Sequence, residues 1–67
     1  MGDKVYFEIT KFVKGDKKAY VTYSHHDNDW RIMGDIKITG FKFRMNAVLH
    51  ITKLGFKKKE RVRYVGE

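Results

Sequence analysis

The most constraining feature of this sequence is the alternation of apolar and polar side chains between Phe41 and Thr52. The stretch reads FKFRMNAVLHIT, and its apolar residues occupy six consecutive odd-numbered positions: Phe41, Phe43, Met45, Ala47, Leu49 and Ile51. Successive side chains of a β-strand point to opposite faces, so a period of two places all six on one face. The pattern therefore predicts a strand whose other face is mostly polar and carries Lys42 and Arg44.

A helix is the alternative for this stretch. At helical spacing, one row contains Phe41, Met45, Val48 and Thr52, and a neighbouring row contains Ala47, Ile51 and Leu54. A helix leaves Phe43 and Leu49 unexplained, whereas alternation accounts for all six apolar residues, so the pattern favours a strand. Twelve extended residues span roughly 40 Å, and a globule of this size is only about 28 Å across. We therefore expect the strand to bend, or to divide into two strands at a turn near Asn46.

Shorter alternating runs on either side of this stretch predict further strands. They cover Val5 to Val13, Ala19 to Ser24, Trp30 to Gly34 and roughly Lys58 to Val65, with a short run at Ile36 to Ile38. Turn-forming residues separate them at Lys14–Lys17, His25–Asp29 and Lys53–Phe56, and the register changes across Thr39 and Gly40. Five or six short antiparallel strands predict an all-β fold, either a small meander sheet or a partly closed barrel.

The same alternation assigns faces within the first predicted hairpin. Val5, Phe7 and Ile9 form the inner set of one strand, and Ala19, Val21 and Tyr23 share one face of the next. Tyr6 and Tyr20 then each lie on the face of their strand opposite to these residues. Phe12 is out of phase with the inner set, so it either lies outside or follows a bulge.

Length and composition limit the classes of protein that this chain can belong to. Its 67 residues predict one domain, residues 1–67. The absence of cysteine excludes disulfides and a CxxC-type zinc site. No stretch is apolar enough to span a membrane, and the first residues lack the apolar run of a signal peptide. We therefore expect a cytoplasmic protein with no membrane association.

Positive charge is concentrated in the second half of the chain. Residues 1–33 carry six Lys and Arg against five Asp and Glu, and residues 34–67 carry nine against three, which divides the net charge of +7 into +1 and +6. This asymmetry indicates a polyanionic partner. The candidate phosphate contacts are Lys42, Arg44, Lys57, Lys58, Lys59, Arg61 and Arg63. If the last two predicted strands pair, these side chains form one cationic surface, although lysines also protect strand edges.

Aromatic side chains among these cations strengthen the case for nucleic acid. Tyr6, Tyr20 and Tyr64 are the candidate rings for stacking on bases, an interaction that contributes roughly 1–3 kcal/mol per base in sheet-type binders of single strands. The alternative is that these rings are covered or form an oligomer contact. The sequence thus predicts a nucleic-acid-binding protein with low sequence specificity.

No catalytic, metal or cofactor site is predicted. The loop His25–Asp29 contains imidazole and carboxylate groups, but adjacent histidines on a loop lack the spacing of a metal site. Ser24 precedes His25, yet neighbours on a strand point apart. His50 is a single histidine on a polar face, which is typical of a surface residue. We therefore expect a non-enzymatic protein.

The competing prediction is a protein-binding module. It would be a small inhibitor or adaptor that docks through an exposed strand edge, or a homo-oligomer that shares its strands. A long strand on a small body favours this class, because an overhanging end needs a partner. Salt dependence separates the two classes, since binding to phosphates weakens steeply with salt.

Overall fold

The computed structural model describes the backbone of residues 5–66 and the side chains of residues 8–62. The chain forms β1 (Val5–Lys14), β2 (Lys17–Ser24), β3 (Asp29–Gly34), β4 (Ile38–Phe41), α1 (Arg44–Lys53) and β5 (Lys57–Gly66). Within this described part, the chain contains no helix with the length and apolar character that a membrane crossing requires.

The five strands form one antiparallel sheet in the order β4-β3-β2-β1-β5. Strands β1 to β4 follow one another as a meander, and α1 returns the chain across the sheet so that β5 pairs with β1. The prediction of an all-β meander sheet is therefore confirmed. Strands β4 and β5 lie at opposite edges of an open sheet, so the alternative of a partly closed barrel is wrong.

The predicted strand from Phe41 to Thr52 is wrong, because most of this stretch forms α1. Ala47 and Ile51, one helical turn apart, are fully buried against the sheet. A ten-residue helix is only about 15 Å long, so it covers the sheet without the overhang of an extended segment. The turn proposed at Asn46 is also wrong, since its amide donates to the Phe43 carbonyl oxygen at 3.1 Å in the first helical turn.

The helical conformation leaves half of the alternating apolar set outside the core. The side chains of Phe43, Met45 and Leu49 are 60%, 69% and 53% exposed. Their assignment to an inner face is therefore wrong, while that of Ala47 and Ile51 is confirmed. Phe41 is half-buried and packs on the edge of the core.

The predicted turn at Lys53–Phe56 is confirmed, and its backbone hydrogen bonds end α1. The Gly55 amide donates to the Thr52 carbonyl oxygen at 3.0 Å, and the Phe56 amide donates to the Ile51 carbonyl oxygen at 3.3 Å. These bonds, with Gly55 at φ +95°, are those of a Schellman motif. The apolar contact that accompanies the motif is also present, because Phe56 and Ile51 are both buried in the core.

The core lies between α1 and one face of the sheet. It consists of Phe12, Ala19, Val21, Ile32, Ala47, Ile51 and Phe56. In the register of β1 and β2, Thr10 lies opposite Val21 and Phe12 lies opposite Ala19. The helix-covered face of β1 therefore carries the even-numbered residues, and the inner assignment of Ile9 is wrong. The side chains of Val5 and Phe7, assigned with it, lie outside the described range.

Phe12 belongs to this core, so the first of its two predicted alternatives, a position outside, is wrong. Its side chain is 2% exposed. The pairing of β1 with β5 does contain a register shift, between Lys11 and Phe12, but the pairing of β1 with β2 is continuous through the same residues. The irregularity therefore belongs to β5, and Phe12 points to the helix because β1 alternates regularly.

Candidate nucleic-acid interface

Seven lysines from three parts of the chain meet at one end of the sheet, which we call the lysine end. The members are Lys14, Lys17, Lys18, Lys53, Lys57, Lys58 and Lys59. The strand register brings the lysines around the β1–β2 turn next to those of β5, because Val13 pairs with both Lys18 of β2 and Lys57 of β5. The end of α1 joins them through Lys14, whose Nζ donates to the Leu54 carbonyl oxygen at 2.7 Å.

All seven side chains of the lysine end are exposed. Among the side chains that the structure describes, no carboxylate lies within ion-pair distance of any of these ammonium groups. Two acidic residues accompany the lysine end: Asp16 lies in the turn between Lys14 and Lys17, and the Asp35 carboxylate accepts from the Lys18 backbone amide at 2.7 Å rather than from its side chain. Seven unpaired cations at the end of a small protein generate a strong local positive potential.

Two of the arginines predicted to contact phosphates are paired with a carboxylate of the protein itself. Arg61 donates from Nε to Glu8 Oε1 at 2.6 Å, and Arg44 Nε lies 3.1 Å from the same oxygen. Arg44 also donates from a terminal guanidinium nitrogen to Thr10 Oγ1 at 2.9 Å. One carboxylate thus anchors α1 and β5 to β1, and these two arginines have a structural role at this site.

The continuous cationic strand surface expected from the sequence is not formed. Residues 41–52 do not pair with β5, whose partner is β1. Lys42 lies in the segment before α1, and its Nζ stands 5.9 Å from the centre of the Phe43 ring. Lys57, Lys58 and Lys59 are the members of the predicted set that the lysine end retains. The side chain of Arg63 lies outside the described range.

Of the three predicted stacking tyrosines, Tyr20 is the one whose side chain the structure describes. It points to the sheet face that α1 leaves uncovered, as alternation predicted, and is half-buried there. A cleft of about 360 Å³ opens on this face. Its apolar lining comes from Ile9, Tyr20, Met33 and Val62, and its polar lining comes from Lys11, Thr22 and Glu60. The Tyr6 and Tyr64 side chains lie outside the described residues.

The opposite end of the sheet carries the turn between β2 and β3, and its charges are paired internally. Arg31 donates to Asp29 Oδ1 at 2.8 Å and to Asp27 Oδ2 at 2.8 Å. The hydrogen bond to Asp29, supported by the one to Asp27, raises the pKa of Arg31 above that of a free guanidinium. Asp29 also accepts from the Gly40 amide at 3.0 Å, so this carboxylate joins β3 to β4.

These hydrogen bonds occupy the carboxylate groups at the β2–β3 turn that could bind a metal ion. Asp27 and Asp29 both face a permanent cation, and Tyr23 packs edge-on against His25 with ring centres 4.9 Å apart. Across residues 8–62, no three His, Asp or Glu side chains are grouped as metal ligands.

Sequence reasoning missed the contribution of the first half of the chain to this interface. Lys14, Lys17 and Lys18 flank a predicted hairpin turn in a half whose net charge is only +1. The available signal was their position at a turn, which places them at one end of a sheet. Their convergence with β5 depends on β5 pairing with β1, and nothing in the local sequence specifies that pairing.

Comparison with protein-family models, curated proteins and solved structures gave no match to this chain.

Proposed function

We propose that this protein binds nucleic acid through phosphate contacts at the lysine end, with low sequence specificity and without catalysis. The observation that carries the proposal is the convergence of seven exposed lysines with no carboxylate partner among the described side chains. Clustering like charges on a small domain costs stability through mutual repulsion, and a polyanion relieves that repulsion when it binds.

The mechanism follows from the chemistry of lysine. An ammonium group on a flexible stem attracts phosphate as a point charge and releases condensed counterions when it binds. Such contacts do not read base edges, so they bind many sequences with similar affinity. The arginines around Glu8 contribute less, because their guanidinium groups are already hydrogen-bonded within the protein.

Charge reversal at the lysine end tests the proposal against a matched control. We expect the double variant K57E/K58E to bind a fluorescent oligonucleotide about 10- to 100-fold more weakly at low salt, since two attractions become repulsions. The control is Lys42→Glu, which makes the same kind of change at an exposed lysine outside the lysine end. Equal effects of both variants, per charge reversed, would refute the assignment of the surface.

The second candidate is a protein-binding module, and an exposed apolar stripe on α1 favours it. Met45 and Leu49, one helical turn apart, form the stripe, and both are more than half exposed, so two large apolar side chains face solvent side by side. Phe43, which is also more than half exposed, and Lys42 come just before α1, and Lys53 is its last residue. A second copy of this chain would bring its net charge of +7 against the same charge, so the better partner is a protein with an apolar patch and an acidic rim.

The charge-neutral variant M45Q/L49Q separates the two candidates. The protein-binding candidate requires a complex that survives high salt through its apolar contact and that M45Q/L49Q loses. The nucleic-acid candidate requires binding that salt weakens and that the same variant leaves unchanged, because it alters no charge. Retention of the protein complex by the M45Q/L49Q variant would eliminate the stripe as its contact surface.

A further inference from the structure

The cleft on the uncovered face of the sheet has the composition of a site for unpaired bases. We infer that it binds the bases of a single-stranded nucleic acid whose phosphates contact the lysine end. This inference rests on the function proposed above and names its substrate class.

The floor of the cleft offers a ring and flat apolar surface for stacking. Tyr20 of β2 lies beside Met33 of β3 in the register of the sheet, and Ile9 and Val62 form another cross-strand pair between β1 and β5. The Tyr20 ring lies beside Gly34, where an added Cβ would stand 3.2 Å from its Cδ2 atom, so the glycine leaves room for the ring at this position.

The polar groups of the cleft match the edges of a base better than they match an aliphatic ligand. Lys11 and Glu60 lie opposite each other across β1 and β5, and the Thr22 hydroxyl is near them in the lining. Together they supply a donor, an acceptor and a group that is both. An aliphatic ligand would desolvate these groups without replacing their hydrogen bonds, which is costly.

The cleft and the lysine end are continuous along the sheet. Lys18 precedes Tyr20 by two residues on β2, so both side chains lie on the same face about 7 Å apart along the strand. Lys57 shares this face, because Val13 pairs with both Lys18 and Lys57. A base stacked on Tyr20 therefore has cations for its phosphates within one step of the strand. This charge complementarity selects a polyanion as the occupant.

The geometry selects a single strand because a duplex keeps the faces of its bases stacked and paired inside. A stacking platform reaches those faces only in unpaired nucleotides. A duplex can still contact the lysine end through its phosphates, which do not require the cleft. A mutation in the cleft should therefore weaken the binding of single strands and leave the binding of duplexes unchanged.

Comparison of Tyr20→Leu with Tyr23→Leu tests the inference. Both tyrosines lie on β2, but Tyr23 points to the other face, where its ring centre is 5.3 Å from that of Trp30. The probes are labelled ten-nucleotide oligo-dT and oligo-rU and a duplex hairpin of equal phosphate count. We expect Tyr20→Leu to lose roughly 5- to 50-fold in affinity for at least one single strand and nothing for the duplex. Tyr23→Leu should retain the affinity of the unmodified protein for every probe.

The possible results separate this inference from the proposed function. No binding of the unmodified protein to any probe at low salt would overturn both. If the protein binds both duplex and single strands, and Tyr20→Leu leaves both affinities unchanged or weakens them equally, the assignment of the cleft alone is overturned. If Tyr20→Leu fails to fold, the changes in amide NMR chemical shifts when oligo-dT is added to the unmodified protein test the inference instead. The largest changes should fall at Ile9, Tyr20, Met33 and Val62, and changes confined to α1 would contradict the site.

Discussion

At the scale of single residues, the Glu8 carboxylate connects parts of the chain that are far apart in sequence. Its Oε1 atom accepts a hydrogen bond from Arg61 Nε at 2.6 Å and forms an ion pair with Arg44 Nε at 3.1 Å, so it joins three elements of the fold at one oxygen. Arg44 would otherwise be unfavourable at the start of a helix, because a cation there opposes the helix dipole. Glu8 compensates this charge from the neighbouring sheet.

Replacing Glu8 by Gln should destabilise the protein by leaving two arginines close together without their anion. After discounting for partial exposure, we expect the free energy of unfolding to fall by about 1–2 kcal/mol. The loss should be larger at low salt, because salt screens the repulsion between Arg44 and Arg61. Urea denaturation at two salt concentrations measures this loss in the free energy of unfolding. Glu60→Gln is the control, since Glu60 forms no ion pair with a described side chain. Equal stabilities of the two variants would contradict this role.

At the scale of elements, the short strands and their turns could be predicted from the sequence, but α1 could not be predicted from its apolar pattern. Six alternating apolar residues indicate a strand, yet the fold buries only Ala47 and Ile51 of them fully. Two other signals pointed to the helix. An extended segment of this length exceeds the size of the body. Gly55 followed by Phe56 also matches the end of a helix in a Schellman motif.

The start of α1 offers a direct test of its helical conformation. Phe43 occupies the N-cap position with extended backbone angles, φ −126° and ψ 147°, and provides no side-chain hydrogen bond. The Asp carboxylate of Phe43→Asp should accept from a backbone amide of the first turn and favour the helix dipole, which should make this variant about 1 kcal/mol more stable than Phe43→Ala. Phe43→Ala is the control, because it removes the exposed ring without adding a cap. Thermal unfolding compares the stabilities of the two variants. An Asp variant less stable than the Ala variant would mean that no helix begins after residue 43.

At the scale of the whole molecule, charge is segregated along an elongated body of 43 × 21 × 17 Å. The lysine end lies at the turn between β1 and β2, and the opposing turn between β2 and β3 carries the aspartates bound to Arg31. Such a distribution orients an approaching polyanion toward one end of the protein. Composition predicted the basic character, but the location of the proposed site required the topology, because β1 lies between β2 and β5 and brings together lysines from both.

The salt dependence of oligonucleotide binding tests the central claim most directly. With about five phosphates contacted, the logarithm of the affinity of a single strand should fall against the logarithm of salt concentration with a slope near −3.5. Neutralising three of the seven lysines in K57Q/K58Q/K59Q should reduce the magnitude of the slope by roughly 2, and Lys42→Gln should leave it unchanged. A slope that the triple variant leaves unchanged, or no binding at low salt, would contradict the assignment of phosphate contacts to the lysine end.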